Sequence, residues 1–218
     1  MNWSAFKTRF QYNYKKWIAI TLSSVAVALE LAAGILYFVY IVNNHVTPDL
    51  SLPINAYNIA FLLVAYFTIL IGNINSNNSA YTGVLIYVFS CAFSAGLQVL
   101  STGITSFASF FTGSPLTIGL TMVWFILAVL SLIPGVFTYV RLNQYLRSSF
   151  VSYEKVRNWA LIFVILQTIT AGFTPVMLFV GGYAASYTID LAIIILSPLS
   201  EVFICWAIYF TVLRLRSY

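Results

Sequence analysis

Charge is what this sequence has least of. Of its 218 residues only 7% are Asp, Glu, Lys or Arg, while 61% are hydrophobic. A water-soluble domain carries about a quarter charged residues, because solvated groups must cover its surface. A chain this poor in charge cannot build that surface, so its solvent is a bilayer. Basic residues are missing altogether from 17 to 140 and from 158 to 213. There is one histidine, His45, and there are two cysteines, Cys91 and Cys205. That scarcity excludes bis-histidine haem ligation, a His/Cys metal cluster and a histidine-based nucleophilic dyad within the apolar runs. The P-loop, the dinucleotide fingerprint and the zincin motif are absent too. No cofactor or metal is therefore expected, and nothing positive points to an enzyme.

What is present is long apolar stretches. In hydrocarbon every backbone polar group must be satisfied internally, which leaves helices or a closed barrel. Barrel strands alternate apolar and polar residues over about ten positions. Here the apolar runs are nearly continuous, so the expected fold is all-α: a polytopic transmembrane helix bundle forming one domain over residues 1–218. A span needs ~20 mainly apolar residues. That ruler gives six spans, at about 17–42, 56–72, 81–101, 116–140, 159–180 and 187–213. Asn43, Asn44, Pro48, Asp49 and Pro53 mark the first connection. An Asn/Ser-rich turn at 73–79 and a Gly/Ser/Thr/Phe loop at 103–115 mark the next two. The stretch 81–115 also admits a span followed by a re-entrant piece. Pro134, Pro175 and Pro198 predict breaks or kinks within the last three spans.

The few charges fix an orientation. Lys7, Arg9, Lys15 and Lys16 precede the first span. Arg141, Arg147, Lys155 and Arg157 lie between the fourth and fifth, and Arg214 and Arg216 follow the sixth. Six alternating spans put all ten on one side, as the positive-inside rule requires. Both termini are then cytoplasmic. The other side holds His45, Asp49 and residues 103–115 and 181–186. Topology accounts for the net charge of +5, and no cluster is dense enough for nucleic acid.

In the N-terminal arm Trp3, Phe6, Phe10, Tyr14 and Trp17 recur at intervals of three and four, forming an aromatic stripe along a helix. Residues 1–16 are read as an interfacial amphipathic helix, or as the cytoplasmic extension of the first span with ordinary aromatic anchoring. Around 142–155, Leu142, Leu146, Phe150 and Tyr153 lean to one face of the only sizeable cytoplasmic loop.

Ionisable groups inside a bilayer are expensive and so are functional candidates. Glu30, Asp190 and Glu201 qualify, Asp190 near the outer end of the last span. At 1.5 Å per residue Glu30 lies ~20 Å, and Glu201 ~18 Å, from the cytoplasmic ends of their spans. The two carboxyls are thus expected at one depth near the midplane. With no basic partner there, a proton is the natural neutraliser. Neutral partners are available in Ser23, Ser24, Tyr37, Thr170, Thr174, Ser197 and Ser200. Gln167 shares a helical face with Thr170 and Thr174, and Gln98 lies on a stripe with Ser90, Ser94 and Ser101. Glu30, Glu201, Asp190, Gln167, Gln98 and Ser197 are the candidate intramembrane polar site. The alternative reading is that the Ser, Thr and Gln side chains serve to hold helices together.

Six spans, cytoplasmic termini and the arm WSAFKTRFQYNYKKW at 3–17 resemble small permease subunits of ABC-2-type transporters. The polar turn running into a Ser/Ala/Gly-rich span at 72–100 is similar to their second-to-third helix connection. Residues 73–80 depart from that pattern in having no basic residue. The resemblance implies a cell-membrane permease energised by a separate cytoplasmic ATPase, docking near the 141–157 loop and the N-terminal arm. Two other readings fit the same size and span count. One is the substrate-binding subunit of an energy-coupling-factor transporter, whose small-residue first span Ser24, Ala28 and Ala32 resemble. The other is a non-catalytic anchor subunit of a larger membrane complex, such as a respiratory one.

Overall fold

The structure is a computed structural model that describes residues 3–43, 51–112, 115–147, 151–180 and 188–215. Every element among them is helical: α1 (Trp3–Asn43), α2 (Ser51–Asn75), α3 (Ser79–Thr112), α4 (Pro115–Arg147), α5 (Tyr153–Val180) and α6 (Thr188–Val212). Five stretches are long and apolar enough to cross a membrane: Tyr12–Tyr40, Ser79–Leu100, Phe125–Arg147, Tyr153–Phe173 and Ile195–Val212. In α2 the corresponding apolar stretch, Ala60–Ile74, is shorter. The chain is thus an α-helical membrane protein. His45, Asp49 and residues 181–186 lie outside the described residues.

Several boundaries differ from the sequence reading. The arm and the first apolar run form one uninterrupted helix of 41 residues, about 60 Å long at 1.5 Å per residue. The loop expected at 103–115 is mostly helix, since α3 continues to Thr112. Isolated Gly, Ser and Thr lower helix propensity by no more than about 1 kcal/mol each, too little to stop a helix between Leu100 and Phe111. Pro115 opens α4, a position where the missing N–H costs nothing. Pro134, Pro175 and Pro198 sit inside continuous helices and not at breaks. A membrane helix tolerates such prolines because neighbouring groups take up the freed carbonyls. The turn expected at 73–79 shrinks to residues 76–78, because α2 runs on to Asn75.

The helices form two compact units. The first comprises residues 1–87 and 185–218, the second residues 88–184, the changeover falling within α3 between Tyr87 and Val88.

In the first unit α1 packs chiefly along α6 and also on α2. Its buried positions are Ala19, Ser23, Ala26, Val27, Glu30 and Ala33, and α6 answers with Ser200, Ile204, Ala207, Ile208 and Thr211. Both sets recur at three and four, giving one stripe per helix. Most are small, and small residues let membrane helices approach where no hydrophobic effect drives them together. The opposite side of α1, with Ser24, Val25, Ala28, Leu31, Ile35 and Phe38, is exposed. The small residues Ser24 and Ala28 therefore do not make this contact.

A tight hairpin joins α2 to α3. Asn77 N–H donates to the Gly72 carbonyl at 3.1 Å and Ser76 N–H to the Asn73 carbonyl at 3.3 Å. This is a Schellman closure, with Ser76 in the left-handed position (φ 53°) that glycine usually takes. A Cβ on Gly72 would stand 2.1 Å from the Ala80 nitrogen, and one on Gly83 2.7 Å from the Ile69 nitrogen. Glycine at these two positions is what brings the helices so close.

In the second unit α4 packs on α5. The α5 stripe is Val156, Ala160, Phe163, Val164, Gln167 and Ala171, and that of α4 includes Ala128, Ser131, Thr138 and Leu142. Phe137 stacks on Trp159 with ring centroids 4.5 Å apart. Arg147 in the last turn of α4 and Glu154 in the first turn of α5 each complement a helix dipole.

Candidate functional site

The first unit encloses a layer of polar side chains among its apolar helices. Its centre is Glu30, which is 1% exposed. Ser200 Oγ lies 2.5 Å and Ser197 Oγ 3.5 Å from Glu30 Oε2. Ser200 Oγ also donates to the Ser197 carbonyl at 2.8 Å, and the Tyr66 hydroxyl lies beside Ser200. Glu201 and Glu30 are within electrostatic reach of each other. Tyr87 OH donates to Glu201 Oε1 at 3.5 Å and lies 3.4 Å from Cys205 Sγ. The Tyr66 and Tyr87 rings, with centroids 5.8 Å apart, hold the two phenols together.

A count of hydrogens shows what this layer can do. A serine hydroxyl has one proton to give and two lone pairs to receive with. Ser200 gives its proton to the Ser197 carbonyl. A protonated Glu30 can then donate to one of its lone pairs. A carboxylate at Glu30 would compete for the Ser200 proton and leave the Ser197 carbonyl without it. The two states of Glu30 thus demand two hydrogen-bond patterns, and a cluster of this kind can take up and release a proton.

Helical spacing explains how the sequence assembles the layer. On α6, Ser197, Ser200, Glu201 and Cys205 fall within just over two turns. Glu30 continues the buried α1 stripe one turn beyond Ala26. Tyr66 lies on the α2 face that carries Ile69 and Asn73, and Tyr87 on the α3 face that carries Tyr81 and Val84.

Of the six candidates, the structure brings Glu30, Ser197 and Glu201 together. Asp190 lies in the first turn of α6, and its side chain is outside the described set. Gln167 and Gln98 belong to the second unit, Gln167 buried on α5 and Gln98 half-buried on α3. In that unit Ser131 and Thr170 join α4 to α5 at 3.2 Å, and Thr170 also donates to the Leu166 carbonyl. Sequence reasoning missed Tyr66, Tyr87 and the placement of Cys205. Each carries a polar atom in an apolar run, but only the packing shows that these atoms converge. Among the described residues no three His, Cys, Asp or Glu side chains form a metal-binding group.

Compared with known proteins, the chain matches no family model, no curated protein sequence and no solved structure. Its functional reading therefore rests on its own chemistry.

Proposed function

We propose that the chain is the membrane-embedded subunit of a transporter, driven by a separate energising subunit, and that the Glu30–Glu201 layer takes up and releases a proton during its cycle. The observation that carries this reading is the Ser200–Glu30 contact, whose hydrogen-bond pattern must change with the proton on Glu30. Burying two carboxyls without a basic partner is costly, and purely structural glue needs only the serines, threonines and tyrosines already present. A cell-membrane location with both termini cytoplasmic fits the distribution of basic residues.

The test is purification in mild detergent, identification of the co-purifying chains, and reconstitution of the complex in vesicles enclosing a pH-sensitive dye. A nucleotide-hydrolysing partner and a proton movement reduced at least tenfold in Glu30→Gln and Glu201→Gln support the reading. Full activity in both variants, at unchanged protein level, refutes it. Recovery of redox subunits in place of an ATPase makes the chain an anchor of a larger complex.

A further inference from the structure

In the second unit α3 and α4 enclose a groove of about 300 Å³, lined by Phe89, Ala92, Phe93, Val136 and Tyr139. A contrast in side-chain size creates it. The two helices touch through Ala92 and Gly135, where a Cβ on the glycine would stand 3.2 Å from that of the alanine. Small residues of this kind let membrane helices approach closely. Around that contact the side chains are large. Phe89 and Phe93, one turn apart on α3, stack with centroids 6.2 Å apart and planes 15° from parallel. The Tyr139 ring stands 5.8 Å from that of Phe89, and Val136, next to Gly135, completes the α4 wall. A floor of small residues between walls of large ones leaves the depression.

The position of the groove says what fills it. Both walls belong to stretches apolar and long enough to cross a membrane, Ser79–Leu100 and Phe125–Arg147. Phe89, Phe93 and Val136 are each about half exposed, and within such stretches the surroundings are hydrocarbon. Tyr139 and Val136 lie eight and eleven residues before Arg147, the last residue of α4, about 12 and 16 Å at 1.5 Å per residue. Half of a hydrocarbon core is ~15 Å thick, so the groove lies at the depth of the acyl chains of one leaflet. From Val136 the same face of α4 passes through Val140 and Asn143 to the exposed Arg147, at spacings of four, three and four. That places a cation at headgroup level above the groove, where a phospholipid carries its phosphate. A cavity of about 150 Å³ holds a benzene ring, so this groove has room for a segment of hydrocarbon chain. Left unfilled, its lining would forfeit dispersion contacts.

We propose that the groove binds one acyl chain of a phospholipid from the leaflet on the Arg147 side, its headgroup at the level of Arg147. Phe89 and Phe93 hold the chain from α3, and Val136 and Tyr139 hold it from α4. Lipid tails are as apolar as leucine, so the fit of the walls to the chain, and not apolarity, retains it. The site lies wholly in the second unit and is independent of the transporter reading.

The experiment reconstitutes the full-length protein in vesicles of phosphatidylcholine and phosphatidylglycerol. A small share of the phosphatidylcholine carries a photoactivatable diazirine midway along one acyl chain, and the labelled residues are mapped by mass spectrometry. Labelling of Phe89, Phe93, Val136 and Tyr139 should exceed that of Ile162, Ile165 and Ile169, exposed residues of α5, by about tenfold, one decade of affinity. In Val136→Trp, whose larger ring fills the groove, labelling of Phe89 and Phe93 should fall by a similar factor. In Ile165→Trp it should be unchanged. Labelling that is absent, or spread evenly over both faces, overturns the proposal, as does groove labelling that Val136→Trp leaves intact. Labelling by a free fatty acid bearing the same diazirine, but not by the phospholipid, overturns the phospholipid source. Should Val136→Trp fail to fold, the comparison of the two faces in the unmodified protein decides.

Discussion

Ser200 on α6 reaches Glu30 on α1 across the main helix contact of the first unit, and the same hydroxyl donates to the Ser197 carbonyl one turn earlier. One proton thus serves two acceptors unless Glu30 brings its own. Pro198 lies between the two serines, in the stretch where α6 meets Glu30.

Glu30→Gln tests that arrangement, because the amide donates from its nitrogen as a protonated carboxyl does from oxygen. Its stability should stay within about 0.5 kcal/mol of the unmodified protein, as expected where no hydrogen bond is lost. Ser200→Ala removes the shared hydroxyl and should cost about 1 kcal/mol, the scale of interhelical hydrogen bonds in membranes. Unfolding in mixed micelles measures both. A larger loss in Glu30→Gln than in Ser200→Ala would show that Glu30 needs its charge.

Gly72→Ala should open the α2–α3 hairpin, since the new methyl would meet backbone atoms of Ala80 at 2.1 and 2.6 Å. Overpacking of this kind costs about 1–3 kcal/mol, and the backbone here has little room to yield. Gly172→Ala is the control: its methyl meets nothing within 4 Å, and a helical glycine replaced by alanine gains up to about 1 kcal/mol. Thermal unfolding in detergent should separate the two in sign.

Ser76 carries a left-handed backbone. Ser76→Val places a β-branched side chain there and removes the hydroxyl that Lys16 holds. The left-handed conformation costs an L-residue about 1–2 kcal/mol, and a branched side chain raises that cost. Loss of stability comparable with Gly72→Ala is expected, read by the same unfolding assay.

In the second unit the Phe137 and Trp159 rings stack with centroids 4.5 Å apart. Trp159→Leu keeps an apolar side chain and loses the ring pairing, for which about 0.5–1.5 kcal/mol is expected. A Phe137→Leu, Trp159→Leu double-mutant cycle isolates that coupling from burial. A coupling near zero would mean that the rings only fill space.

The membrane topology can be checked without any activity. Cysteines introduced at the exposed positions Asn77 and Gln144, in a background with Cys91 and Cys205 replaced, should react with a membrane-impermeant maleimide from the cytoplasmic side only. Labelling of the two from opposite sides would rule out six alternating spans.

Much of this protein was legible in its residues because the bilayer imposes simple rules. Few charges and long apolar runs require helices, and the lone carboxyls of Glu30 and Glu201 stand out where no basic residue lies within three turns on either side. Helix ends were harder to read. Residues 103–112 have the composition of a loop and yet are helical, since weak breakers cannot outweigh backbone hydrogen bonding. Asn73 reads as a turn residue and is buried in α2, where Arg214 and Thr211 engage it.

The sequence alone determined the apolar solvent and the helical class, because hydropathy acts along the chain, and it set Glu30 and Glu201 inside apolar runs. Only tertiary structure decided what those carboxyls meet. Tyr66 and Tyr87 are ordinary aromatic residues of apolar runs until packing turns their hydroxyls toward Ser200 and Glu201. Arg214 is a topology signal until Asn73 and Tyr12 close over it. Partners brought together from distant points of the chain leave no trace in local pattern, because which faces meet is set by how the helices pack.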